Sequence, residues 1–193
     1  MTTTRNIDQM SCVSLVVEPI IQHAGCEAIE CGSATGFVVE KEVSHFLVTN
    51  YHVVSGRRST DGAVIYPTEG TPTHLRCIFH GQRLGTWQQK IVPFFDKNDK
   101  PTWLHTVIND SDIFKFADVA VIPLEHTEEI ALYPVAIDKS DDIRSSPCSE
   151  ATVLGYPGGK SSYKYFPIWV TGYIASERQL DYADLKLQSF SRR

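Results

Sequence analysis

A histidine and an aspartate are each placed at the end of an apolar run. Residues 47–54 read Leu-Val-Thr-Asn-Tyr-His-Val-Val, which sets His52 just past a buried strand. Asp118 opens a second run, Asp-Val-Ala-Val-Ile-Pro-Leu, directly after Phe-Lys-Phe-Ala. An imidazole exchanges its proton near neutral pH, and a carboxylate beside it selects one tautomer and steadies the imidazolium. His52 and Asp118 are therefore candidates for two of the three members of a nucleophilic triad, the two that activate a serine hydroxyl. The third is missing: no Gly-x-Ser-Gly occurs in the 193 residues. Residues 185–193, Leu-Lys-Leu-Gln-Ser-Phe-Ser-Arg-Arg, contain no glycine for the tight turn that forms an oxyanion hole. Ser189 and Ser191 are accordingly not assigned as nucleophiles.

Competing residues lack this context. Chain entering a core at Val119 leaves the Asp118 carboxylate partly buried and in need of a donor. Asp110 and Asp112 sit in Asn-Asp-Ser-Asp with no apolar run behind them. The other histidines, at 23, 45, 74, 80, 105 and 126, are expected to be solvated or satisfied by backbone. Cys26 and Cys31 beside His23 have the wrong spacing for a zinc knuckle, and no second ligand pair follows. Gly155, Gly158 and Gly159 precede no Gly-Lys-Ser/Thr of phosphate-loop spacing, so Gly159-Lys160-Ser161 reads as an ordinary loop. Neither a metal nor a cofactor is implied.

Three further stretches extend the pattern: Gly-Ser-Ala-Thr-Gly-Phe-Val-Val at 32–39, Val-Leu-Gly-Tyr-Pro-Gly-Gly at 153–159, and Phe-Pro-Ile-Trp-Val-Thr-Gly-Tyr-Ile-Ala-Ser at 166–176. With the His52 and Asp118 motifs, and in this order, they resemble the trypsin-like serine peptidases, in particular the bacterial branch without disulfides. The resemblance implies two Greek-key β-barrels with the active site between them, His52 as general base and Asp118 as its orienting carboxylate. It also implies a helical turn at 51–55. Viral relatives of this fold use a cysteine nucleophile late in the second barrel, and Cys148, ahead of the Val-Leu-Gly-Tyr-Pro strand, comes too early for that role. The chain ends before the family's serine motif. The second barrel is therefore expected to be truncated and the chain inactive as it stands.

The elements needed to position these residues are strands. Short runs rich in valine, isoleucine, threonine and aromatics, broken by turn residues, predict an all-β fold. Strands are expected near 12–19, 34–40, 44–50, 73–80, 87–94, 102–108, 118–124, 151–156 and 166–176. Cys12 to Val17 fits a buried strand or a short helix equally well. The polar stretch 138–147 divides the chain into residues 1–140, expected as a complete first barrel carrying His52 and Asp118, and 141–193, a partial second barrel. Tyr163, Tyr165, Phe166, Trp169 and Tyr173 are expected to pack within that second barrel, more exposed through the truncation.

Composition narrows the partners. Hydrophobic residues make up 42% and charged residues 21%, the balance of a folded soluble chain. A net charge of −5 supplies no basic footprint for nucleic acid. No apolar run reaches the roughly 18 residues of a membrane span. The first nine residues lack the apolar core of a secretory signal, and five irregularly spaced cysteines suggest no disulfide framework, so a cytoplasmic protein with free thiols is expected. The expected partner is a polypeptide substrate, once a nucleophile is present. The alternatives are a protease-derived binding module without catalysis, or one half of a split protease.

Overall fold

The computed structural model describes residues 7–66, 70–108, 115–125, 127–136 and 146–175. They are mostly β-strand, and they form two compact units. One comprises the residues before 138 together with Gly155–Ile168, and the other comprises the rest.

The first unit begins with a 3-10 turn, Gln9–Cys12, whose N-cap Asp8 accepts a hydrogen bond from the Met10 amide at 2.9 Å. Strand β1, Ser14–Ile21, follows, so the ambiguous Cys12–Val17 stretch resolves into the end of a turn and the start of a strand. Then come β2 (Ile29–Glu30), β3 (Ala34–Lys41), β4 (Ser44–Thr49), the short helix α1 (Tyr51–Ser55), β5 (His74–Gly81) and β6 (Trp87–Pro93). The unit continues with β7 (Leu104–Ile108), β8 (Lys115–Leu124), β9 (Ile130–Ala131) and β10 (Val135–Ala136). The main ladder runs β6-β5-β1-β3-β4-β8-β7, and each neighbouring pair is antiparallel. The three two-residue strands pair on its margins: β2 with β1, β9 with β5, and β10 in parallel with β3.

Among the described residues the ladder does not close by strand pairing. Its β6 side nevertheless approaches the end of β8, where the Lys90 ammonium donates to the Glu125 carbonyl at 2.7 Å. A groove of about 440 Å³ lies there, walled by Lys90, Val92 and Pro93 on one side and by Ile122, Pro123 and Leu124 on the other.

The core is what the apolar runs predict. Leu15, Val17, Val38, Leu47, Leu75, Phe79, Phe94 and Ile122 form one buried cluster reaching from β1 to β8. Gly36 in β3 lets this layer close: a Cβ there would lie 2.9 Å from Val17 Cγ1 and 3.0 Å from Leu47 Cδ1, inside contact distance on both sides.

Gly155–Ile168 packs with the strands that precede residue 138, although a boundary at 140 groups it with the later chain. Tyr156 is the tie. Its backbone N–H donates to Thr35 Oγ1 at 3.0 Å, and its buried hydroxyl lies 3.0 Å from the Ser14 carbonyl and 2.8 Å from that of Tyr165. Phe166 is buried against His80 and Trp87. Burial holds the Tyr156 phenol and the His80 ring to their neutral forms, raising the first pKa and lowering the second.

The second unit contains all but the last residue of β11 (Glu150–Gly155) and all but the first of β12 (Ile168–Tyr173), a two-stranded sheet joined across one face by Thr152 and Thr171 hydroxyls 3.0 Å apart. None of its described residues from 146 to 154 and from 169 to 175 is buried. Trp169 and Tyr173, two of the aromatics expected to pack, are exposed here.

Candidate active site

The site is assembled where β4 ends. Thr49 is buried, and its hydroxyl donates to the Thr35 carbonyl at 2.9 Å, which holds the strand end against β3. Asn50 keeps an extended backbone (φ −76°, ψ 146°) and is the N-cap of α1. The helix lasts five residues because Gly56 adopts the left-handed φ of 65° and returns its N–H to the His52 carbonyl at 3.0 Å. Tyr51, Val53 and Val54 are buried, so three of the first four helical side chains anchor the turn to the core. His52 is the one left facing outward. Behind it Tyr51 meets Trp103 edge-on at 5.8 Å and His105 at 5.4 Å, an aromatic brace under the residue next to the candidate base.

Asp118 arrives by sheet register. Strands β4 and β8 pair antiparallel with Thr49 opposite Ala120, so the chain just past Thr49 meets the chain just before Ala120. On its other side β8 is irregular. From His105–Ala120 to Val107–Phe116, β7 advances two residues while β8 advances four. This bulge spans Asp118. Bulges re-aim side chains at strand edges, and this one sits where the carboxylate must leave the regular pleat.

The resulting geometry is close. His52 Nδ1 lies 2.8 Å from Asp118 Oδ2 and 3.0 Å from Oδ1, and the His52 backbone N–H donates to Oδ1 at 3.0 Å. Asn50 Nδ2 donates to Oδ2 at 3.2 Å and to the Asp118 carbonyl at 3.1 Å. A carboxylate can only accept, so Nδ1 is the protonated nitrogen whenever the ring is neutral, and Nε2 keeps its lone pair. The two side chains are 39% and 37% exposed, which leaves the pair open to a reactant. What the arrangement can do chemically is receive a proton at Nε2 while the carboxylate stabilises the cation that forms.

Other sequence candidates fall elsewhere. Asp110, Asp112, His126, Ser189 and Ser191 lie outside the described residues. Cys148 belongs to the second unit, with a left-handed φ of 66° and its N–H bonded to the Ile174 carbonyl at 2.9 Å. Gly158 and Gly159 form a tight turn against Ser33 rather than the mouth of a helix. Cys26 is exposed and Cys31 is buried, and among the described residues no group of three or more His, Cys, Asp or Glu is arranged to hold a metal ion. No helix among them is long and apolar enough to cross a membrane. Asn50 is the site residue to which the motif alone assigned no task. The signal for one was its place two residues before His52, but its partner is a residue 68 positions away. Compared with known proteins, the chain matches no protein-family model and no curated protein.

Proposed function

We propose that this chain carries the His–Asp part of a trypsin-like serine endopeptidase centre, with His52 as general base and Asp118 as its orienting carboxylate. The observation that carries the reading is the single carboxylate taking both the ring N–H and the backbone N–H of His52, at 2.8 Å and 3.0 Å. Even with the imidazole protonated, a pair this exposed would add little stability, typically about 0–1 kcal/mol, so folding alone does not require the arrangement. In the reaction, a serine hydroxyl attacks the peptide carbonyl as Nε2 takes its proton. The imidazolium then protonates the leaving amine, and water resolves the acyl-enzyme through the same base.

The strand order supports the barrel part of the reading. Setting aside the two-residue strands, β1, β3 and β4 are consecutive neighbours and β5 returns to lie beside β1, the 4-1-2-3 order of a Greek key. The Lys90–Glu125 contact brings β6 and β8 together on the side where a barrel would close. The hairpin β11–β12 is, on this reading, the start of the second barrel.

The nucleophile has to come from polypeptide that holds a Gly-x-Ser-Gly turn, because these 193 residues hold none. Fluorophosphonate labelling tests this, applied to the chain alone and to the chain extended by any coding sequence that follows Arg193. The chain alone is expected to stay unlabelled. A labelled extension should lose labelling with His52→Ala and slow by about 10⁴ with Asp118→Asn. Labelling indifferent to both substitutions would contradict the assignment.

A further inference from the structure

We propose that Asn50 is a positioning residue for Asp118, exchanging the ordinary task of a helix N-cap for that of orienting the carboxylate; this rests on the His–Asp reading above. An asparagine at an N-cap normally accepts, through its side-chain oxygen, the backbone N–H of the second or third helical residue. Asn50 does not, and its side chain makes no cap bond. Both donors are satisfied in other ways. The second helical residue is His52, whose N–H goes to Asp118 Oδ1, and the third is Val53, whose N–H goes to the Asn50 backbone carbonyl at 3.1 Å. Asp118 thus caps α1 from a neighbouring strand.

The Asn50 side chain is released by this exchange and used on Asp118. Its amide spans Oδ2 and the backbone carbonyl of the same residue, at 3.2 Å and 3.1 Å. Both atoms only accept, so it is the NH₂ end of the amide that faces them. Gripping the carboxylate and its own backbone together restricts rotation of the Asp118 side chain. The consequence lies at His52: a carboxylate fixed in this plane keeps the ring proton on Nδ1 and the lone pair on Nε2.

Capping and positioning predict opposite orders of substitution. As N-caps, aspartate and serine equal asparagine, and alanine is clearly worse. As a donor to a carboxylate, aspartate is the worst choice, because it sets one acceptor against another, and serine and alanine both lose the bridge. The experiment is imidazole ¹⁵N NMR of the 193-residue chain at mildly alkaline pH, giving the Nδ1–H to Nε2–H ratio of His52, with a melting temperature for each variant. Expected are a ratio favouring Nδ1–H in the unsubstituted chain, a fall of roughly threefold in Asn50→Ser and Asn50→Ala, and a larger fall in Asn50→Asp. Asn50→Ser should melt with the unsubstituted chain, and it carries the test if Asn50→Asp proves unstable. A ratio unchanged in Asn50→Ser and Asn50→Asp, with only Asn50→Ala melting lower, would overturn the positioning role and leave the His–Asp pair intact. A predominance of Nε2–H in the unsubstituted chain would overturn both.

Discussion

The two units of this molecule use the same kind of residue to different ends. In β1 seven of eight residues are buried and one is half-buried, because the strand has a partner on each edge and side chains against both faces. In β12 five of six are exposed, among them Trp169, Val170 and Tyr173. Both strands are rich in β-branched and aromatic residues, so strand propensity does not separate them. What separates them is how many layers cover each face. A two-stranded sheet has one pairing and two open edges, and isolated hairpins are marginally stable in water. His52 and Asp118 stand on the covered side of this contrast, in α1 just past the end of β4 and within β8, two strands that pair with each other and each have a second partner in the ladder. That is where a geometry of a few tenths of an ångström can be held.

Truncation of the core is the most direct way to break the contrast. Phe79 is fully buried, and Phe79→Ala should cost about 3–5 kcal/mol in chemical denaturation. Trp169→Ala, in an exposed position of β12, should change stability by about 0.5 kcal/mol or less. Equal costs would mean that the hairpin has a core of its own. Native-state hydrogen exchange resolves the same difference by residue. The amides of Val38 and Leu47 should exchange roughly a thousandfold more slowly than those of Val153 and Val170.

The cysteines sharpen the comparison, because exposure rather than membership of a unit should decide their reactivity. Cys26 and Cys148 are exposed, one in each unit, whereas Cys12, Cys31 and Cys77 are buried. Burial also raises the Cys12 and Cys77 thiols above their ordinary pKa, which lowers the thiolate fraction that reacts. A thiol reagent should find two fast groups in the native protein and five after unfolding without reductant.

The smallest effect is a pH dependence. Burial lowers the pKa of His80, and that of His74, below the ordinary 6.5, so the unfolded chain binds protons more readily than the folded one. Their contribution is complete above pH 6.5 and is lost as pH falls from there through the lowered folded values. Substituting His80 by Phe should flatten that part of the stability profile and leave the His74 share.

Much of this was legible in the sequence, and the limit is a physical one. Local rules located β3, β4, β5 and β6 to within a residue or two, since each is an apolar run with turn residues at its ends, and the resemblance supplied α1. The resemblance paired His52 with Asp118, which the structure brings within hydrogen-bond distance. Register was not legible: nothing local says that Thr49 lies opposite Ala120, or that β8 bulges at Asp118. The short strands β2, β9 and β10 escaped notice because two residues carry no periodicity. Gly155–Ile168 reads as the opening of a later unit, yet the tie of the Tyr156 hydroxyl to Ser14 spans 142 positions. The role of Asn50 likewise depends on a partner that only the folded sheet supplies.

On the proposed reading Asp118 sets the state of the His52 ring, and the ring tautomer in Asp118→Asn is the decisive measurement. In the unsubstituted chain the carboxylate accepts from Nδ1, so ¹⁵N imidazole shifts should report Nδ1–H. In Asp118→Asn the amide can donate to Nδ1, so the ring proton should move to Nε2 and the basic lone pair should face away from a reactant. That inversion, with an unchanged fold, is the predicted result. The same tautomer in both proteins would mean that the 2.8 Å contact does not govern the histidine, and the proposed acid–base pair would fall with it.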